Sequence, residues 1–444
     1  MSAVARVWFA TAAYAIVYFV LGAQRYATYH AGSDLGLFTQ SIASAFAGFA
    51  NTTEGGNHFT YHFSPILLLC APLVIVSHSA LALVGIQAVA GALVAPPLFL
   101  IARSWVGDVL AARVAFVALL YPPLAGLTFA DFHENGFAPA ATLWLVWAVD
   151  AGRIWAAALA LVATLAIKED QGVIVAAVGL LAAAWYARRG DAPRARFAAA
   201  ASIVAIATFV SFFTIVRHAA GATAPWAPTH FYAWGPTDAR GQAPWYSIGR
   251  PAYALEAFVP LGFVALASPA IVFALPGFAE VLSSHESITY TMGQHYAGVW
   301  IGWVLAAFAF GVARLHARSA RLASRAVATA MVLCVLVLAF ASPTHWGHYL
   351  RARGPHDAAR DRALARLAPG LDVGLSDALY AHLGFDPHAR LGLDGAPHFA
   401  LLDAKDRSSY VDARWVPLVT AGARVGRYRL LWEDDGLGLY ELRS

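Results

Sequence analysis

Apolar runs of 14 to 23 residues, rich in Ala, Leu, Val, Phe and Trp and parted by short polar loops, restrict this chain more than any other feature. Crossing roughly 30 Å of hydrocarbon takes about 20 residues of α-helix, and a helix satisfies its own backbone where water is absent. Strands of a barrel would alternate over about ten residues, and these runs do not. The composition agrees, with 59% of 444 residues hydrophobic, 13% charged and a positive mean hydropathy, outside the range of soluble globular chains. The expected fold class is an all-α polytopic membrane protein carrying a small C-terminal α/β soluble domain.

Eleven spans are expected, at about 7–23, 80–102, 108–127, 137–150, 154–167, 171–187, 197–216, 253–267, 268–283, 296–313 and 326–341. The first follows Arg6 and has no convincing small-x-small cleavage site, so it reads as a retained span. The stretch "HFSPILLLCAPLVIVSH" (62–78) is interrupted by Pro65 and Pro72, and the arginines argue against its crossing. If it does not cross, Arg6, Arg103, Arg113, Arg153, Arg188, Arg189, Arg194, Arg196, Arg314, Arg318, Arg321 and Arg325 share one side, opposite only Arg25, Lys168, Arg217, Arg240 and Arg250. The positive-inside rule then makes the N-terminus cytoplasmic, in a plasma or inner membrane. The net charge of +4 is accounted for by this topology, and no nucleic-acid partner is expected. Cys70 and Cys334 each lie inside an apolar run, which supports neither a disulfide framework nor a thiolate metal site.

The expected division is a transmembrane domain over 1–341 and an extracytoplasmic α/β domain over 342–444. The first outer loop, 24–79, holds a surface helix, and an aromatic outer loop covers 217–252. In the C-terminal part the pattern predicts helices at 356–368, 376–383 and 410–420, strands at 371–375 and 398–402, and a hairpin turning at Asp435-Gly436.

Mid-span charge is nearly absent, while acids collect at the outer face. In "YHAGSDLGLFTQSIASAF" Ser33 can cap a helix whose apolar positions are Leu35, Phe38, Ile42, Ala45 and Phe49, an amphipathic helix along the membrane surface. Asp34 then reads either as a first-turn acid against the helix dipole or as a functional carboxylate beside the headgroups. "GGNHFTYHFSP" carries His58 and His62, suited to a headgroup or phosphate. "FADFHENGFAP" gathers Asp131, His133, Glu134 and Asn135, more bonding groups than a polar turn needs. "AIKEDQG" sets Lys168 beside Glu169 and Asp170; the thirty lysines and arginines include just two lysines, and an ammonium there suits a phosphate. The aromatic loop, with His230 and Tyr232, reads as a membrane-interface belt or as a lid over an amphipathic ligand. His295 and Tyr296 close the last outer turn.

The ordered set "SDLGLFTQSI", "HFSPILLLCAPL", "DFHENGFAP", "IKEDQG" and "HFALLD" resembles the uncharacterised membrane-protein family called domain of unknown function 2079. Its layout is in turn similar to the GT-C class of membrane glycosyltransferases. That resemblance implies a polyprenyl-phosphate-linked sugar as donor, an unknown acceptor, and Asp34 as the catalytic first-loop acid. Lys168, His133 and His62 would meet the donor phosphate, and a divalent ion, if used, would take Asp131, His133 or Glu134. Many GT-C members show paired acids in this loop, whereas Asp34 follows Ser33 and stands alone. The competing expectation is a transporter or flippase of a lipid-linked or amphipathic solute, which would place its cavity at the bilayer midplane.

Overall fold

A computed structural model describes residues 1–232, 248–344, 350–406 and 409–442. The membrane part runs through α1 (Ala3–Ala27), α2 (Ser33–Ala43), α3 (Ala71–Ser77), α4 (Leu81–Ala92), α5 (Ala95–Leu119), α6 (Pro122–Phe129), α7 (Ala138–Asp150), α8 (Ile154–Leu165), α9 (Asp170–Ala187), α10 (Ala192–Ser211), α11 (Arg217–Ala219), α12 (Gly249–Phe258), α13 (Leu275–Leu282), α14 (Gly298–Arg318) and α15 (Ala320–Phe340). Six helical stretches among the described residues are long and apolar enough to cross a membrane.

The count of eleven spans is not reproduced, for physical reasons. The runs expected at 80–102 and 108–127 fall in one apolar helical stretch, Leu81–Leu119, kinked at Gly107, whose φ of 75° and ψ of 170° break the helix and favour a residue without Cβ. The segments expected at 253–267 and 268–283 are short helical pieces parted at Gly262 and Phe263, both left-handed, with Pro260, Pro269 and Pro276 adding further breaks. In 62–78 the seven residues of α3 extend only about 10 Å, and the helix ends at His78 in the left-handed region.

Burial separates the centre from the rim. The stretch containing α14 is 83% buried across its apolar window, while α1, α10 and α15 are each 22% buried, as helices facing lipid would be. Trp300 of α14 is fully enclosed and donates its indole N–H to Tyr253 at 2.9 Å, which ties the broken segment to the core.

The C-terminal part contains α16 (Pro355–Ala365), α17 (Asp377–Tyr380) and α18 (Tyr410–Arg424) with a five-stranded sheet. Strands β1 (Ala50–Asn51) and β2 (Gly56–Asn57) form a small ladder in the first loop, and β3 (Val373–Leu375), β4 (Ala389–Leu391), β5 (Phe399–Asp403), β6 (Tyr428–Asp434) and β7 (Leu437–Leu442) form the sheet, ordered β4-β3-β5-β7-β6. β3 pairs in parallel with β4 and β5, and β7 is antiparallel to β5 and β6. The β6–β7 hairpin turns at Asp435 and Gly436 as expected, both at positive φ. The three-residue β4 had no expectation; "ARL" is too short to show an alternation.

α2 departs from the expected surface helix. Leu35, Phe38 and Ile42 are buried against Leu67, Val74, Leu83 and Phe132, and the opposite face is covered by the C-terminal part. A Cβ on Gly36 would stand 2.7 Å from the Tyr380 ring, while Gln40 donates to the carbonyls of Asp386 at 2.7 Å and Ala389 at 3.2 Å. Ser33 is not the cap: Gly32 is, its N–H held by the Asp131 carboxylate at 2.8 Å. Sequence periodicity showed two usable faces but not that protein would cover both.

Candidate functional site

Five loops and the start of α2 bring the predicted polar groups to one place. The first loop is held down by Ile66 N–H donating to Ala166 at 2.8 Å, and by Trp226 and Arg217 donating to the carbonyls of Tyr61 and Thr60. These bonds set His62 beside the end of α8, where Lys168 and Glu169 follow. Asp34, His62, His133, Lys168, Glu169, Tyr232, His295 and Tyr296 line a cavity of about 230 Å³.

Within it two glutamates each face a histidine. His62 Nδ1 lies 2.8 Å from Glu169, whose other oxygen accepts from Phe63 N–H at 2.8 Å. His58 Nδ1 lies 2.8 Å from Glu54. Against the cost of burying the ring, the Glu54 charge and hydrogen bond raise the His58 pKa above its ordinary value; His58 in turn outweighs the desolvation of Glu54 and holds that carboxyl low, so this pair is an ion pair. The His58 and His62 rings are 5.9 Å apart by their centroids, and each faces its own glutamate. The His133 and His295 rings stack at 3.6 Å, 8° from parallel. Burial, with His295 and the Lys168 charge, drives the His133 pKa well down, so it meets a ligand as a neutral imidazole.

Lys168 is the one lysine or arginine among the described residues lining this cavity. Its ammonium lies 3.9 Å from both Glu134 and Asp170, close enough to stay charged and too far for a hydrogen bond. Burial opposes its charge, but Glu134, Asp170 and Glu169 prevail and raise its pKa. A lysine side chain only 9% exposed thus keeps its donors open to the cavity. Asn135 is buried and gives its backbone N–H to His133 Nδ1 at 3.3 Å. The side chain of His230 lies outside the described residues. Asp131 does not join His133 and Glu134: it pairs with Arg25 at 3.1 Å. Among the described residues no three His, Cys, Asp or Glu side chains converge as metal ligands, so the metal candidates do not form a set.

Asp34 occupies the mouth. Its carboxylate is 3.8 Å from His295 Nδ1, and the side chain keeps 41% of its surface open. Desolvation, then the like charges of Asp131, Asp377 and Glu134, push its carboxyl up to about 7. Asp34 also lines a second cavity of about 700 Å³, bounded by Arg25, Asp131, Met292, Asp377, Asp406 and Asp412. A third space, about 800 Å³ and almost wholly apolar, runs between α1, α4 and α7 and reaches Ile66 and Ile167. Ile167 faces this groove and the next residue, Lys168, faces the polar cavity, so a tail and a head could bind on either side of one backbone step.

Two groups escaped sequence reasoning. Glu280 lines the Lys168 cavity; the sequence marks it as an outer-face acid near a span end but gives no sign that it joins these loops. Asp377 arrives from the C-terminal part, where "SDALYAHL" signals only a helix start.

The family described as "Predicted membrane protein (DUF2079)" matches residues 25–237, a stretch holding Asp34, the histidine loop, the "DFHEN" turn and Lys168. No curated protein matches. Among solved structures, ArnT from Cupriavidus metallidurans bound to undecaprenyl phosphate is similar over 97% of each chain, with TM-score 0.57 and 13% identity. The apo state of that protein gives TM-score 0.54 and 14% identity over 96% of this chain and 97% of that one. At such identity the likeness is one of fold, and the fold is GT-C-like. An oligosaccharyltransferase from Archaeoglobus fulgidus matches with TM-score 0.45 and 12% identity, over 86% of this chain and 64% of that one.

Proposed function

We propose that this chain is a membrane glycosyltransferase that moves a sugar from a polyprenyl-phosphate donor to an acceptor hydroxyl at the outer membrane face, with its N-terminus cytoplasmic. The observation that carries the reading is the buried Lys168 ammonium with unfilled donors, one residue from an apolar groove and across one cavity from Asp34. An amphipathic anion fits that arrangement, its chain in the groove and its phosphate on Lys168. The undecaprenyl phosphate bound by the similar ArnT structure is a ligand of this chemical kind.

In the reaction so read, the acceptor oxygen bonds to the anomeric carbon as the bond from that carbon to the phosphate oxygen breaks. The electron pair leaves with the polyprenyl phosphate, and the hydroxyl proton passes to Asp34. A carboxyl held near neutrality suits a base working at neutral pH. Lys168 offsets the charge growing on the leaving phosphate, and neutral His133 can donate to its oxygens, with the His62 ring on the same wall. Glu134 and Asp170 hold the ammonium in its charged form. The aromatic residues Trp226, Phe231 and Tyr232 over the same cavity would cover the sugar and limit water.

The test is turnover of a panel of polyprenyl-phosphate sugars by purified protein, wild type against Asp34→Asn, with and without divalent metal. Donor consumption by wild type and none by an equally folded variant is the expected result. Passage of an unconsumed donor across proteoliposomes would replace the reading with a transporter.

A further inference from the structure

The second cavity at Asp34 has a character the transfer chemistry does not require. The one arginine lining it among the described residues is committed: Arg25 pairs with Asp131 at 3.1 Å and donates to the carbonyls of His30 at 2.8 Å and Phe129 at 2.7 Å. Asp406 is taken by Arg360 at 2.9 Å. Asp377 and Asp412 remain with no ion pair among the described residues. Asp412 is 1% exposed; one oxygen accepts from Ser409 at 3.0 Å and from the Asp377 N–H at 3.3 Å, and the other has no partner. One oxygen of Asp377 is likewise buried without a partner. Both side chains line the cavity. A buried carboxylate oxygen left unpaired is costly, and two of them on one wall mark a place where a donor from outside belongs.

We infer that this cavity binds the acceptor, and that the acceptor is an amine-bearing hydroxylated molecule, such as an amino sugar, whose ammonium sits on Asp377 and Asp412 while a hydroxyl reaches Asp34. The assignment rests on the glycosyl-transfer reading for the word acceptor, though not for the binding itself. A space of about 700 Å³ falls within the range of small-molecule sites. Desolvation and neighbouring acids push the Asp377 carboxyl up to about 7 and raise that of Asp412, the strain that an incoming ammonium relieves. Tyr29, His30 and His295 also face the cavity and supply hydrogen bonds without a fixed positive charge. Among the described residues, a phosphate-bearing acceptor would meet carboxylates with no uncommitted lysine or arginine on the cavity wall to offset it.

The experiment measures binding of D-glucosamine and of N-acetyl-D-glucosamine to the purified full-length chain by calorimetry, with calcium chloride as a further probe and no donor present. Glucosamine is expected to bind at least tenfold more tightly than its N-acetyl analogue, calcium is expected not to displace it, and Asp412→Asn is expected to weaken it at least tenfold. Equal binding of the two sugars, no binding of glucosamine, or displacement by equimolar calcium overturns the inference. The comparison of probes on wild type needs no variant, so a misfolded Asp412→Asn leaves the test intact, and Asp377→Asn repeats it from the other carboxylate. Donor consumption is measured alongside. Selective amine binding without donor consumption removes the transferase reading and keeps the amine site, whereas donor consumption with indifferent sugar binding does the reverse.

Discussion

The two cavities that share Asp34 balance their charges in opposite ways. On the Lys168 side Glu54 faces His58, Glu169 faces His62 and Glu134 faces Lys168. On the C-terminal side Asp377 and Asp412 face one another and hydroxyls. Acidity alone therefore does not describe the region. A place that receives a leaving phosphate needs partners for most of its carboxylates, although Glu280 on that wall has no ion pair among the described residues, and a place that receives an ammonium must leave them bare. Asp34 belongs to both sides, and its carboxyl is raised first by desolvation and then by acids from each.

The sharpest way to break this contrast is Asp34→Asn. It removes the group common to both cavities and should lower transfer by about 10²–10⁴-fold with an unchanged melting curve. Lys168→Gln attacks one side only. It should reduce donor turnover by roughly 10²-fold or more and also lower the thermal midpoint, because Glu134 stays buried without its ammonium. Gly36→Ala tests whether the C-terminal side depends on docking: a Cβ against the Tyr380 ring should cost about 1–3 kcal/mol, read as a lower midpoint. The smallest effect is on pH. A base whose carboxyl is pushed up to about 7 is protonated and idle below that pH, so the rate should climb through neutrality and level off above it. Asp377→Asn removes one like charge, lowers the Asp34 pKa and should shift the rising limb down by a fraction of a pH unit; an unmoved limb would separate the two cavities electrostatically.

Much of this was legible in the chain. Hydropathy found the long helices because lipid demands about 20 apolar residues without interruption, and the "DFHEN", "IKED" and histidine loops stood out because polar groups are rare beside such runs. The failures have definite causes. Gly262 and the prolines from 260 to 276 break an apolar stretch that hydropathy scores as continuous. α2 was taken for a surface helix because its cover lies more than 300 residues later, and no periodicity reports a partner so remote. Asp377 was missed for the same reason: its role depends on where α17 docks. A search for metal ligands by proximity in sequence joined Asp131 to His133 and Glu134, although the backbone turns Asp131 toward Arg25.

The cover over α2 also imposes an order in time. Asp34 leaves the ribosome more than 300 residues before Tyr380, which rests on Gly36, and before Asp412, which completes the acidic wall. During synthesis the reactive carboxylate waits in a half-built vestibule, and only a chain translated through residue 412 can close it. A product that ends before residue 412 would carry the Lys168 loops into the membrane without that acidic wall.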